Sequence, residues 1–235
     1  MHKYFLAFFL FIGYSLSAQE VAVDTLLTSV PTVEDGDYYR EDQIYINLSS
    51  IRAFDIEDNL RQVGLSYAYA FGYMRDIPLN KKETFALGVG LGYNRSRIKL
   101  TYDKASPFND LNSDISTDYL FESKVVLNAL QIPLEIRFRN STATKYRFWR
   151  IYTGFTFNLL LRDKVEINRN LVTENYSNTG LFRDWEVGPH MSVGYGIWNF
   201  HIYYSMNNLF AKDAQNRYSG FETNYLKLGL QFFIF

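Results

Sequence analysis

Residues 63–73 read VGLSYAYAFGY, and this stretch decides the fold. Every second side chain is apolar and mostly large: Val63, Leu65, Tyr67, Tyr69, Phe71 and Tyr73. The side chains between them are all small: Gly64, Ser66, Ala68, Ala70 and Gly72. Strict alternation is the period of a β-strand. In a soluble sheet the second face would carry charge, whereas a small face suits a narrow barrel whose bulky side meets lipid.

Seven further segments repeat the alternation, which makes eight in all. They lie at residues 44–48 (the weakest), 85–93, 126–138, 149–161, 185–195, 200–206 and 226–234. An even strand count is the rule for single-chain bacterial barrels. We therefore predict an all-β fold: one antiparallel, transmembrane, up-and-down β-barrel of about eight strands. The weak first segment leaves ten strands or a displaced start as alternatives.

The connections alternate in length and agree with this topology. Short connections fall at residues 76–82, 140–146 and 197–199, and longer or more polar ones at 53–61, 101–122, 163–182 and 211–220. Outer-membrane barrels have short periplasmic turns and long external loops, so both chain ends are predicted in the periplasm. Aromatic residues crowd the predicted periplasmic rim, as expected at a lipid–water boundary: Tyr73, Phe85, Phe138, Tyr146, Trp149, Tyr195, Trp198, Phe200 and Phe233.

Composition excludes several classes of protein. Lys and Arg total 24 against 25 Asp and Glu, so net charge gives no support for nucleic-acid binding. Cysteine is absent, which excludes disulfides and Cys-ligated metals. Mean hydropathy is slightly negative, which argues against a bundle of membrane helices. The unusual feature is an aromatic content of 18 %, which a membrane barrel uses at its two boundaries.

The amino terminus has the pattern of a secretory signal peptide. Lys3 supplies the positive charge, residues 4–16 are apolar, and small residues precede a predicted cut after Ala18 or close to it. We therefore predict a signal peptide at residues 1–18, an acidic periplasmic lead-in at 19–42 and the barrel domain at 43–235. This organisation predicts location in the cell outer membrane.

Charged residues occur on the strand faces assigned to the lumen. Because an eight-stranded barrel is just wide enough for side chains to fill it, such charges need partners. We predict a structural lattice of ion pairs, with a gated ion or solute path as the alternative. Its members are Glu135, Arg137, Arg139, Arg150, Arg162, Glu186 and Lys227.

The last strand carries a pattern that resembles the C-terminal signal read by the barrel-assembly machinery. Its residues are Gly229, Phe232, Ile234 and the terminal Phe235. We therefore expect that machinery to be a partner during biogenesis.

His190 and Ser192 share one strand face with Glu186. Hydroxyl, base and carboxylate are the groups needed for nucleophilic acyl hydrolysis. The pair resembles the His-x-Ser of outer-membrane lipid A deacylases, although Val193 stands where that family has Asn. The predicted lumen position also differs from those enzymes, which act on lipid at the outer wall. We predict a hydrogen-bonded interior histidine, with the hydrolase as the alternative.

Residues 43–235 resemble the PorT-like outer-membrane β-barrel proteins of the Bacteroidota. The resemblance rests on GVGLGYN at 88–94, LQIPLEIRFR at 130–139, YTGF at 152–155 and the terminal Phe235. It implies an outer-membrane barrel and an accessory role in type IX protein secretion. We predict a non-enzymatic scaffold, assembly or interaction factor without cofactor or metal. Its expected partners are outer-membrane lipid and secretion-system proteins; a narrow channel or lipophilic-ligand carrier is a further alternative.

Overall fold

The computed structural model describes residues 42–54, 60–80, 84–102, 121–139, 149–169, 172–217 and 223–234. The predicted signal peptide, the predicted lead-in except Asp42, and Phe235 lie outside the described residues. Within the described ranges, no helix has the length and hydropathy required to cross a membrane.

Nearly all of the described residues belong to β-strands. The strands are β1 Gln43–Phe54, β2 Leu60–Gln62, β3 Tyr67–Pro78, β4 Phe85–Tyr102, β5 Phe121–Arg139, β6 Trp149–Arg169, β7 Val172–Ser177, β8 Trp185–Tyr195, β9 Trp198–Tyr204 and β10 Asn224–Ile234. One short helix, α1, covers Lys212–Arg217 between β9 and β10.

Eight of these strands close into a barrel. Going around it, β1 pairs with β3, then β4, β5, β6, β8, β9 and β10 follow, and β10 pairs with β1 again. Every pairing is antiparallel and no open sheet edge remains in the ring. The predicted closed barrel of eight strands is confirmed.

At one end of the barrel, strands continue past the ring. The far ends of β4, β5 and β6 form a sheet with β2 on one edge and β7 on the other. We call this five-stranded structure the outer sheet, because it lies at the end with the long connections, which faces outward in barrels of this kind. The segment 163–182, which we expected to be a loop, is therefore largely a hairpin of β6 and β7.

The alternation sorts the side chains as predicted. Bulky residues that face away from the barrel are strongly exposed, for example Phe71 at 53 % and Ile136 at 56 %. Their small neighbours Ala68 and Ala70 are buried inside. Such an exposed apolar surface is explained by contact with hydrocarbon, since a water-soluble monomer does not tolerate it. We call this surface the apolar belt.

A β-bulge in β6 corrects one predicted orientation. Ala129 of β5 pairs with Leu160, but Asn128 pairs with Arg162, so Leu161 is an extra residue in β6. An inserted residue reverses which alternate positions face inward. Arg162, which we predicted in the lumen, is consequently exposed on the outer wall.

Candidate functional site

At the end opposite the outer sheet, the lumen is filled by a cluster of buried charges. Arg137 and Arg139 on β5 both form ion pairs with Asp76 on β3. The Arg137 Nε atom also donates a hydrogen bond to Glu135 Oε2 over 2.9 Å. All four side chains are essentially inaccessible to solvent. In a low-dielectric interior such charges require close partners, and here each has one.

The same cluster includes His190 on β8. Its Nε2 atom lies 3.1 Å from Glu135 Oε1, and its Nδ1 atom lies 2.8 Å from the hydroxyl of Thr156. Both ring nitrogens are therefore occupied. The hydroxyl of Ser192 lies instead 2.8 Å from Nδ1 of His201 on β9, and the imidazoles of His190 and His201 stack at 5.7 Å.

Aromatic rings complete this layer. The guanidinium of Arg137 lies 4.5 Å from the ring centre of Tyr152, and that of Arg150 lies 5.8 Å from the ring of Phe233. The two rings meet edge to face at 5.4 Å. Phe233 is therefore inside the barrel rather than on the periplasmic rim as we expected, because it alternates with the lipid-facing Phe232 and Ile234.

Glycines create the room for these large side chains. A Cβ atom at Gly88 would lie 2.6 Å from Arg137 Nε, and one at Gly92 would lie 2.1 Å from the hydroxyl of Tyr45. The Tyr45 hydroxyl donates to Gln131 Oε1 over 2.9 Å. The small residues in β4 therefore allow large side chains from other strands to cross the lumen. We call this whole region the charged layer. Its residues are Tyr45, Asp76, Glu135, Arg137, Arg139, Arg150, Tyr152, His190 and Phe233.

The middle of the lumen is organised around Glu186 on β8. The hydroxyls of Tyr203 and Tyr225 both donate to its carboxylate, and Asn158 Nδ2 donates to Oε1 over 3.1 Å. The ammonium of Lys227 lies 5.0 and 5.2 Å from the centres of the same two tyrosine rings. Two cavities beside Lys227 have volumes of about 30 and 20 Å³. Each has room for no more than a water or two.

The outer end of the lumen is closed by an apolar cap. Inward-facing residues of the outer sheet, such as Ile98, Val125 and Val165, pack against two segments outside the strands. The first contributes Leu181 and Phe182, and the second contributes Leu209, Phe210 and Ala214 of α1. Phe182 and Phe210 stack at 5.5 Å and form an isolated β-bridge. We call this cluster the apolar cap.

The structure places the other predicted site residues as follows. Arg150, Glu186 and Lys227 face the lumen with Glu135, Arg137 and Arg139, whereas Arg162 does not. Of the predicted assembly signal, Phe232 contacts Trp198 on the outer wall at 5.2 Å and Ile234 is half exposed. A Cβ atom at Gly229 would lie 2.0 Å from the backbone oxygen of Leu48. Phe235 lies outside the described residues.

Sequence reasoning missed two parts of this lumen. Asp76 was assigned to a turn, although Ala68, Ala70 and Met74 have the same parity and could have shown that it faces inward. The apolar cap was not expected, because its segments 178–184 and 205–214 have no strand period that would predict burial. Among the residues with described structure, no group of three or more His, Asp or Glu side chains is arranged to hold a metal ion.

The structure is similar to two crystal structures of Ail, the attachment invasion locus protein of Yersinia pestis. The one in complex with the heparin analogue sucrose octasulfate is 11 % identical and has a TM-score of 0.40, with 84 % of this chain and 100 % of that chain covered. The other is 10 % identical and has a TM-score of 0.37, with 82 % of this chain and 97 % of that chain covered. A search of curated proteins found no match.

The sequence supplies the family assignment. Residues 36–211 match the family described as outer membrane protein beta-barrel domain, which is most of the chain. The match covers seven of the eight strands that close the barrel and, of the apolar cap, Leu181, Phe182, Leu209 and Phe210. The chain belongs to this family of β-barrel proteins and is a protein of the outer membrane.

Proposed function

We propose that this protein is a non-enzymatic, non-conducting barrel that acts as a scaffold, assembly or interaction factor through its outer sheet and apolar cap. One observation carries the proposal: the lumen is filled along its length, while the strands continue outward as an ordered structure. The charged layer, the Glu186 cluster and the apolar cap follow one another from the periplasmic to the outer end. The exterior of the barrel is therefore the surface on which a partner could be recognised.

A filled lumen argues against the channel alternative. The cavities beside Lys227 are small, and they are lined by apolar-cap residues such as Phe182 and Leu209 on one side and by charged-layer residues such as Glu135 on the other. Planar-bilayer recording tests this directly, and we expect no steady conductance from the refolded protein. A steady unitary conductance would favour the channel.

The geometry also argues against the lipid hydrolase. Ser192 has no exposed surface and faces the lumen, so an acyl chain in the membrane has no route to its hydroxyl. His190, the predicted base, directs its ring nitrogens to Glu135 and Thr156 instead. Mass spectrometry of lipid A from cells with Ser192→Ala is the test, and we expect an unaltered profile.

Photo-crosslinking tests the interaction role. A photoreactive residue at exposed outer positions, Asn168, Asn175 or Asn216, should give discrete protein adducts in intact cells. The matched control is the same residue at Ile136 or Phe155, which face lipid and should give no protein adduct. Absence of adducts from all three outer positions would contradict the proposal.

Two narrower partnerships are part of the proposal. The resemblance to PorT-like proteins supports an accessory role in type IX secretion, and deletion of the gene should then reduce secreted cargo. Unchanged secretion would exclude the role in type IX secretion and leave the proposed scaffold role unaffected.

The pattern that ends in Phe235 supports recognition by the barrel-assembly machinery, so truncation of that residue should slow membrane insertion.

A further inference from the structure

One wall of the protein carries a concentration of positive charge just above the apolar belt. Its members are Arg95, Arg97 and Lys99 on β4, Lys124 on β5, and Arg162 and Lys164 on β6. We call these six residues the basic face. None of them was recognised from the sequence as a surface feature, and the bulge at Leu161 is what turns Arg162 and Lys164 outward.

The register aligns these residues in rows across three strands. The last row of the apolar belt is Tyr93, Leu130 and Leu159. The first row that follows contains Arg95, Asn128 and Arg162. The second row contains Arg97, Val126 and Lys164, and the third contains Lys99, Lys124 and Glu166. Six basic residues and one acidic residue therefore follow directly on the lipid-facing surface.

The height of the first rows matches the lipid headgroup layer. Two residues advance a strand by about 6.7 Å, and a strand tilt of roughly 40° reduces this to about 5 Å along the membrane normal. The headgroup region adds roughly 5 to 7 Å on each side of the hydrocarbon. The row with Arg95 and Arg162 therefore lies among headgroups, and the row with Arg97 lies at their outer edge.

The basic face keeps most of its charge uncompensated. Lys124 and Lys164 both bond to Glu166, and these bonds lower the pKa of its carboxyl, so that this acid stays ionised. The three arginines, by contrast, form no ion pair with any described carboxylate. Arg97 donates to the Tyr67 hydroxyl over 3.3 Å, and Arg162 approaches the Ser177 hydroxyl at 3.5 Å.

The charge is confined to one side of the barrel. At the corresponding level, the outward residues of the neighbouring strands are uncharged, such as Tyr69 on β3, Ser50 on β1 and Tyr204 on β9. Arg52, one step further along β1, is an isolated exception. A general need for solubility would distribute charge around the whole rim, whereas a bound anion needs it in one place.

We propose that the basic face binds the phosphate groups of an anionic glycolipid in the outer leaflet, whose acyl chains lie along the belt below. Arginine suits this ligand because its planar guanidinium donates two parallel hydrogen bonds to a phosphate. Continuity with the apolar belt favours a lipid over a soluble polyanion, because one molecule can then contact both surfaces. This role is independent of the protein contacts proposed above.

Native mass spectrometry of the refolded full chain tests the proposal. The probes are a bisphosphorylated lipid A and the same lipid without its phosphates. The test variant combines Arg95→Gln, Arg97→Gln and Arg162→Gln. The matched control combines Arg52→Gln, Arg75→Gln and Lys212→Gln, which removes three exposed charges away from the basic face. A gel-mobility shift on boiling verifies that both variants fold.

We expect the wild type and the control to retain the phosphorylated lipid, and the test variant to retain it at least about tenfold less. The lipid without phosphates should be retained weakly by all three proteins. Inorganic phosphate at millimolar concentration should not displace the lipid. Equal retention by the test variant, equal loss in the control, or displacement by inorganic phosphate would overturn the proposal.

Discussion

Asp76 is the residue that joins two arginines of the charged layer. Its two carboxylate oxygens bond to Arg137 and Arg139, all three side chains are buried, and they come from β3 and β5. A buried ion pair contributes little net stability compared with an apolar pair, but loss of one partner leaves an uncompensated charge. We therefore expect the charged layer to contribute more to the specificity of packing between β3 and β5 than to the net free energy of folding.

Asp76→Asn should lower the free energy of unfolding by about 3 to 5 kcal/mol, because two buried guanidiniums lose the carboxylate that they share while the volume is unchanged. Urea unfolding in lipid vesicles, followed by tryptophan fluorescence, measures this. Arg75→Gln at the neighbouring exposed position is the control and should change stability by less than about 0.5 kcal/mol. Similar small effects in both variants would contradict this view of the charged layer.

At the scale of single elements, the bulge in β6 changes the chemistry of the outer wall. Up to Leu160, the even-numbered residues of β6 face inward, and from Asp163 the odd-numbered residues do so. This change of inward-facing parity occurs at the extra residue Leu161, which has no partner on β5. It lets one strand present apolar side chains to lipid and then Arg162 and Lys164 to the headgroups.

Deletion of Leu161 should be tolerated. Leu160 and Arg162 would then follow each other in regular pairing with Ala129 and Asn128, and no inward side chain would change face. We expect a folded, heat-modifiable barrel with a free energy of unfolding within about 1 kcal/mol of the wild type.

Deletion of Phe155 is the matched control. Loss of a residue there would turn Thr156 and Asn158 toward lipid and Phe157 toward the lumen, as far as the bulge. We expect failure to refold, read as loss of the gel-mobility shift on boiling. Equal behaviour of the two deletions would show that the bulge does not absorb the register change.

We expect the apolar cap to open separately from the barrel. Phe210 is fully buried against Phe182, but the segments that carry both residues are joined to the strands by few backbone hydrogen bonds. Phe210→Ala should loosen the cap, since truncation of a buried phenylalanine costs about 3 to 5 kcal/mol.

Limited trypsin digestion measures the opening of the cap. In the Phe210→Ala variant we expect cleavage after the exposed Lys212 to become at least about tenfold faster, while unboiled samples keep the mobility of a folded barrel. Met206→Ala, an exposed neighbour, is the control and should not change the rate. Loss of the folded band in the Phe210→Ala variant would show that the cap and the barrel unfold together.

At the scale of the whole molecule, the apolar belt is the surface that meets hydrocarbon. Leu134 lies at the middle of the belt on β5, between Leu130 and Phe138. Leu134→Arg should cost about 2 to 4 kcal/mol in vesicles, and Asn128→Arg, in the headgroup row, about 0 to 1 kcal/mol. Unfolding titrations in phosphatidylcholine vesicles compare them. Equal costs would mean that depth in a membrane is not what distinguishes these positions.

The sequence by itself determined the barrel, a strand count of about eight and the lipid-facing side. These follow from alternation along each strand, which is a local property: a bulky residue at every second position has the same orientation wherever the strand pairs. Local parity likewise places Glu135, Arg137, Glu186 and Lys227 in the lumen. The same reasoning, applied one step further along β3, would have placed Asp76 there as well.

The tertiary structure decided what no single strand contains. Which carboxylate meets which guanidinium depends on the register between distant strands, as for Asp76 and Arg137. The orientation of Arg162 depends on an extra residue that is recognised only once β5 is paired with β6. The burial of Phe182 and Phe210 depends on two non-periodic segments that meet over the outer end of the barrel. The physical reason is the same in all three cases, because each contact joins residues that are far apart in the chain.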